Sequence, residues 1–360
     1  MRKLQKILIM AGGTGGHVFP GLAVAKQLRQ NGVEVHWLGT PSGLEAKVIP
    51  PAGIPIHYIS ISGLRGKSLG QKCLLPFKLL MATIQAFRII RRLQPNLVLG
   101  MGGFVSGPGG IASWILRKPL IIHEQNAKAG LTNKWLARLA CKVLEGFPNT
   151  FPNTLHAIST GNPVRDEISR IPAPELRFQG RTNPMRLLII GGSLGANVIN
   201  HLIPSVLAKI PENMRPMVYH QTGEKHFEGT VIAYQRLGVT GNIVPFITDM
   251  ESAYSWADLV LCRAGALTIA ELCAAGLGSV LVPYPFAADD HQTANAAYLV
   301  KHQAALLIQQ VELTENSLVE ILKELSESSA KRMRMAKAAY SLRQPEATIN
   351  VLKFCEEISD

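Results

Sequence analysis

One device is written twice in this chain, about half its length apart. Ile7-Leu8-Ile9-Met10-Ala11 runs into Gly12-Gly13-Thr14-Gly15-Gly16, and Leu187-Leu188-Ile189-Ile190 runs into Gly191-Gly192-Ser193-Leu194-Gly195. A continuous apolar run bounded by glycine predicts a strand buried on both faces, as in a parallel sheet. Glycine lets the backbone turn tightly and approach a ligand closely. The helix that follows aims its free N–H groups and positive dipole end at the loop. The natural occupant is an anion, most often a phosphate; a purely structural turn is the alternative for either loop alone. Self-similarity outweighs a single motif. It predicts an α/β chain of two tandem Rossmann-like domains with parallel sheets facing each other across a cleft. A length of 360 residues suits two such cores.

The loops exclude some nucleotide folds. No Gly-Lys-Ser/Thr follows, so neither is a Walker A loop. The second strand, Val33 to Leu38, runs into Gly39-Thr40-Pro41 without the acidic residue that holds a ribose in dinucleotide sites. The five cysteines, Cys73, Cys141, Cys262, Cys273 and Cys355, form no Cys-x-x-Cys pair, which points to a reducing, cytoplasmic compartment. The histidines are scattered without metal-ligand spacing, so no metal is expected. The apolar run after the basic N-terminus holds five residues before glycine, whereas a secretory core needs about 7–15; export is not expected.

Strand and helix alternate through both halves, the pattern of a parallel sheet with helices on both faces. Pro20–Asn31 reads as the first helix and Thr314–Met335 as a single long one. The Pro-rich run Ile171-Pro172-Ala173-Pro174 marks the joint. The expected domains are 1–164 and 165–342, with a last helix in 343–360 crossing back to the first.

Charge is uneven. The net charge is +12, and the span from Ala46 to His123 holds ten Lys and Arg and no Asp or Glu. Such a field attracts nucleic acid, anionic lipid or an anionic substrate. Within it lies an apolar helix, Leu74 to Leu93, edged by Lys78, Arg88, Arg91 and Arg92. Its longest uncharged run is far short of the roughly 20 residues of a membrane span. The helix packs on a sheet, and its surplus apolar residues suit a membrane interface: Leu75, Phe77, Leu79, Leu80, Ile84 and Phe87, with Trp114 nearby.

The most informative stretch is Ala257 to Glu271. A strand ends, Arg263-Ala264-Gly265 turns, and a helix begins at Ala266-Leu267-Thr268. Open N–H groups there can hold a diphosphate. Glu271, about one turn in, can accept from the two hydroxyls of a ribose; a carboxylate stabilised by the helix dipole is the alternative. Asp289-Asp290-His291-Gln292 follows the next strand with further polar groups. Gly100 to Gly110 and His123-Glu124-Gln125-Asn126 end strands at the same edge of the first sheet, where open α/β sheets bind ligands.

These segments, together with Gly12 to Pro20, Ile61-Ser62-Gly63-Leu64-Arg65-Gly66 and Gly161-Asn162-Pro163-Val164-Arg165, resemble the MurG family. That family comprises the UDP-N-acetylglucosamine:N-acetylmuramyl-(pentapeptide)-pyrophosphoryl-undecaprenol N-acetylglucosamine transferases of glycosyltransferase family 28. The resemblance runs in order along nearly the whole chain. It implies the GT-B fold and an inverting hexosyl transfer at the cytoplasmic face of the bacterial inner membrane. N-acetylglucosamine (GlcNAc) would pass from UDP-GlcNAc to the C4 hydroxyl of the MurNAc sugar of lipid I, giving lipid II for peptidoglycan. The partners it implies are UDP-GlcNAc, lipid I and an anionic membrane surface, with no nucleic acid and no cofactor.

By the same resemblance, donor contacts fall on Thr14, Gly15, Gly16, Asn126, Arg165, Ser193, Ile247, Ala266, Leu267, Thr268, Ile269, Ala270, Glu271 and Gln292. Glu271 would take the ribose, the helix start the diphosphate, and Gln292 the sugar hydroxyls. His17 is the candidate base, because imidazole titrates near working pH and the loop faces the cleft; orienting the loop is its other reading, and Glu124 is the alternative base. Ala264 and Leu194 depart from the family pattern, which usually carries Ser and often Gln there. Two other classes compete: an NAD(P)-dependent oxidoreductase, against which the missing acidic residue argues, and a non-enzymatic membrane or nucleic-acid adaptor, which leaves the nucleotide pocket unexplained.

Overall fold

The computed structural model describes residues 4–61, 75–181, 184–192 and 195–358. The chain divides into two compact units, Met1–Arg165 with Gln344–Asp360, and Asp166–Arg343.

The first unit is built on strands β1 (Lys6–Met10), β2 (Glu34–Gly39), β3 (Ile56–Tyr58), β4 (Leu97–Gly100), β5 (Leu120–Glu124), β6 (Lys142–Glu145) and β7 (Ile158–Ser159). All pair in parallel, in the order β3-β2-β1-β4-β5-β6-β7. Side chains along a strand alternate between faces. Ile7, Ile9, Leu97 and Leu99 therefore join one core layer, with Val24 and Leu28 of the helix Gly15–Gln30. Leu8, Met10, Val98 and Ile122 join the other, with Ala82, Ala86 and Ile90 of the helix Leu75–Leu93. Because both faces are covered, the strand sequences are apolar throughout. The helix Ala347–Ile358 contributes Val351, Leu352 and Cys355 to the first layer and packs on Gly15–Gln30.

The second unit repeats the plan with β8 (Arg186–Ile190), β9 (Met217–Gln221), β10 (Asn242–Val244), β11 (Leu259–Cys262), β12 (Ser279–Leu281) and β13 (Ala305–Leu307). Their order is β10-β9-β8-β11-β12-β13, again all parallel. In each sheet the order reverses beside the first strand, at β1/β4 and at β8/β11. Ligands of open α/β sheets bind outside the carboxyl ends of the strands at that switch point.

Several local expectations are corrected. The first helix starts at Gly15, not Pro20, because the N–H groups of His17 and Val18 close a turn on the Thr14 carbonyl. The stretch 314–335 is two helices, Glu315–Glu327 and Ser329–Ser341, broken at Ser328, whose hydroxyl caps the second. The helix after β12 starts at His291, since Asp289 and Asp290 both have positive φ. The helices Phe227–Arg236 and Met250–Trp256 and strand β7 were not foreseen.

Candidate active site

In the first unit the β1/β4 switch point is closed by two glycine loops in contact. Gly103 has φ of 82°, and a Cβ built on it would lie 2.1 Å from the Gly12 carbonyl oxygen. Ser106 joins the loops: its Oγ contacts the carbonyls of Met10 and Gly102 and accepts from the Gly102 N–H. Glu45, wholly buried, accepts from the N–H groups of Gly13 and Thr40 and from the Thr40 hydroxyl. The helix starting at Gly15 has no side-chain cap and no acidic residue in its first turn. Its first N–H groups, those of Gly15 and Gly16, and the positive end of its dipole therefore face the loop without a side-chain cap.

His17, partly buried, places Nδ1 2.8 Å from Gln125 Oε1. Glu124 ends β5 buried, with both oxygens engaged. Oε1 accepts from the backbone and side-chain amides of Asn126, and Oε2 from Gly130 N–H and Asn133 Nδ2, all within 2.9–3.0 Å. Four acceptor contacts make Glu124 the clamp of its own loop. His123, next to it, is fully buried and burial pushes its imidazole down to about 4. Arg165 falls at the end of this unit rather than at the start of the second.

In the second unit Gly191, Gly192 and Gly195 flank the β8/β11 switch point. Gly195 has φ of 74° and its Cβ would meet the Thr222 carbonyl at 2.1 Å. Ser193 and Leu194 lie outside the described residues, as do Ser62 to Gly66. After β11, the helix Ala266–Ala275 starts at Gly265 with no side-chain cap and no acid in its first turn. The half-buried Leu267 and Thr268 and the buried Ala266 form this start. Ala270 is half-buried and Ile269 buried, so Ile269 has no side chain to offer a ligand.

Glu271 is buried one turn in, and the Tyr254 hydroxyl donates to its Oε2 at 3.0 Å. Gln292 Oε1 accepts from the N–H groups of Ala264 and Tyr284, and Asn295 Nδ2 donates to the Ala264 carbonyl. The approach to the helix is thus pinned on both sides of a fully buried Ala264. Ile247 is buried with its N–H committed to Gln221 Oε1, so that group is not left for a donor.

On the helix Leu75–Leu93 the outward face carries Phe77, Leu79, Leu80, Met81 and Ile84, and Trp114 and Ile115 are exposed on the helix Ser106–Ile115 that packs beside it. Two expected members of the patch are corrected. Phe87 is half-buried and packs against the core, and Leu75 is half-buried. Leu75 shares the inner face of Ala82, Ala86 and Ile90, and Phe87 sits at the flank of the helix, against the core. Among the described residues no helix is long and apolar enough to cross a membrane, and no three His, Cys, Asp or Glu side chains gather as for a metal.

The sequence reading singled out neither Glu45, Ser106, Tyr254 nor Gln125 for a role. Only Glu45, a lone acid among Gly39 and Gly43, left a signal; Tyr254 reaches Glu271 from a distant helix, and its partner is visible only once the chain is folded.

Two Rossmann-like units, with an uncapped helix start and a buried acid one turn in on the second, have the architecture of nucleotide-sugar enzymes of the GT-B type. Residues 7–145 match the glycosyltransferase family 28 N-terminal domain and residues 186–350 its C-terminal domain, so the chain belongs to glycosyltransferase family 28. It is 52% identical over 99% of its length, and 98% of the relative's, to the UDP-N-acetylglucosamine--N-acetylmuramyl-(pentapeptide) pyrophosphoryl-undecaprenol N-acetylglucosamine transferase of Marinobacter nauticus. It is 53% identical to the protein of the same name from Nitrosococcus oceani, over 98% of this chain and 99% of that one. The crystal structure of Acinetobacter baumannii MurG superposes with a TM-score of 0.83 at 41% identity, covering 98% of this chain and 99% of that one.

Proposed function

We propose that this glycosyltransferase moves GlcNAc from UDP-GlcNAc to the C4 hydroxyl of MurNAc in undecaprenyl-pyrophosphoryl-MurNAc-pentapeptide, with inversion at the anomeric carbon. The observation that carries the donor half is the uncapped start of Ala266–Ala275 with Glu271 buried one turn in. A diphosphate fits the N–H groups of Ala266, Leu267 and Thr268, and a ribose diol fits Glu271. Gln292 has its amide oxygen engaged by backbone, which leaves its NH2 for a sugar oxygen. The acceptor half is supported by the relatives' names.

In the reaction the acceptor O4 attacks C1 as the bond from C1 to the β-phosphate oxygen breaks. The electron pair leaves on UDP, the acceptor proton passes to the His17 ring, and N–H dipoles and Arg165 stabilise the departing diphosphate. No cofactor enters this scheme. The exposed face around Phe77, Leu80 and Trp114, edged by Lys78, Arg88, Arg91 and Arg92, lies against an anionic membrane surface at the cytoplasmic side. This is where a polyprenyl acceptor is presented.

UDP release from UDP-GlcNAc, measured with and without a lipid I analogue, tests the reading. Release that requires the acceptor and yields a disaccharide product supports it. Tight UDP-GlcNAc binding with no release refutes the acceptor, and no binding refutes the donor as well.

A further inference from the structure

A line of hydrogen bonds runs from the sheet interior to the glycine loop, and each step dictates the next. The Gly161 carbonyl can only accept, and His123 Nε2 lies 2.9 Å from it, so Nε2 is protonated. His123 is wholly buried and, on the desolvation described above, neutral at working pH. Its Nδ1 is therefore bare and needs a donor. Gln125 Nε2 stands 3.1 Å away and supplies one. That choice turns Gln125 Oε1 toward His17 Nδ1, 2.8 Å distant. An amide oxygen cannot donate, so the proton of the neutral His17 ring sits on Nδ1 and Nε2 carries the lone pair. Gln125 has no freedom to reverse: it is 1% exposed, its amide also lies 3.3 Å from the His123 carbonyl, and Asn162 Nδ2 holds its backbone carbonyl at 2.9 Å.

We propose that Gln125, backed by His123 and the Gly161 carbonyl, is a positioning residue that fixes His17 in the Nδ1–H tautomer and so turns Nε2 out as the proton acceptor. The catalytic half of this statement rests on His17 being the base; the tautomer half does not.

The test is a long-range 1H–15N correlation spectrum of the full chain labelled with 15N-histidine, at neutral pH. Loss of signals in His17→Ala and His123→Asn assigns the two rings. The expected result is His17 protonated on Nδ1 and His123 on Nε2. In Gln125→Met, which keeps the volume but neither polar atom, the His17 signals should move to a tautomer average. The kcat should fall at least tenfold with KM for UDP-GlcNAc within twofold. Gln125→Glu, which still accepts from His17, should regain part of the loss. A wild-type His17 protonated on Nε2, or a Gln125→Met enzyme with wild-type kcat, overturns the proposal. Full turnover in His17→Ala would instead overturn the base reading, while the spectrum still decides the tautomer.

Discussion

Gly103 and Gly12 touch backbone to backbone, and a single methyl group on Gly103 would stand 2.1 Å from the Gly12 carbonyl oxygen. The obstacle is main chain, which cannot swing aside, and the φ of 82° strains any other residue. Gly103→Ala should therefore destabilise the first unit by about 2–3 kcal/mol. Its melting transition should drop while the second unit's UDP affinity holds. An unchanged transition would show that the loops can part.

His17→Ala should lower kcat by about 10²–10⁴ and leave the dissociation constant for UDP-GlcNAc within threefold. Turnover at the wild-type rate would remove His17 from the chemistry.

Glu271 and Tyr254 can be separated. Glu271→Ala removes the ribose acceptor and leaves a buried tyrosine hydroxyl without that partner, at a cost of about 1–3 kcal/mol in stability; UDP affinity by calorimetry should fall at least tenfold. Tyr254→Phe keeps the carboxylate but removes this hydrogen bond to it, and should weaken UDP by a smaller factor. Wild-type affinity in Glu271→Ala would sink the ribose assignment.

Phe77 and Leu80 are 62% and 56% exposed. Phe77→Ser with Leu80→Ser should leave folding and UDP binding intact. Each large apolar side chain contributes about 1.5–3 kcal/mol when fully buried, so partition onto phosphatidylglycerol vesicles should fall at least tenfold. Equal partition of the double variant would place the membrane contact elsewhere.

Acid should weaken both units through buried histidines. Burial lowers His123 to about 4 and His220 to about 3, against 6.5 for the free side chain. As pH falls below 6.5 the unfolded chain takes up these protons first, so their contribution is whole above that pH and is lost on the way down. Each histidine then costs about 1.4 kcal/mol per pH unit. The urea midpoint of the second unit should fall from pH 6.5 to 5, and fall less steeply in His220→Gln. Parallel slopes would show that His220 is not the group responsible.

The sheets were legible because strands covered on both faces leave unbroken apolar runs such as Ile7 to Met10 and Leu187 to Ile190, and glycine marks where they end. Strand β7 was not, because Ile158-Ser159 is too short to form a pattern. Phe227–Arg236 buries only Thr230 and Tyr234, so its apolar stripe is too thin to read. At the candidate site, the features that carry a local signature are the loop at Gly12 to His17, the helix start at Ala266, and Glu271. Gln125 was read only as part of a polar strand end. Its role depends on which atoms of His17 and His123 lie across from its amide, 108 and 2 residues away in sequence, and no spacing rule encodes that.

The helix Ala347–Ile358 sits in the core of the first unit although the whole second unit precedes it in the chain. On a ribosome, where domains otherwise close in order of emergence, this inverts the schedule. The half made first must wait, its sheet lacking Val351, Leu352 and Cys355, until the half made later has already emerged. During that interval the loop bearing His17 rests on an unfinished core.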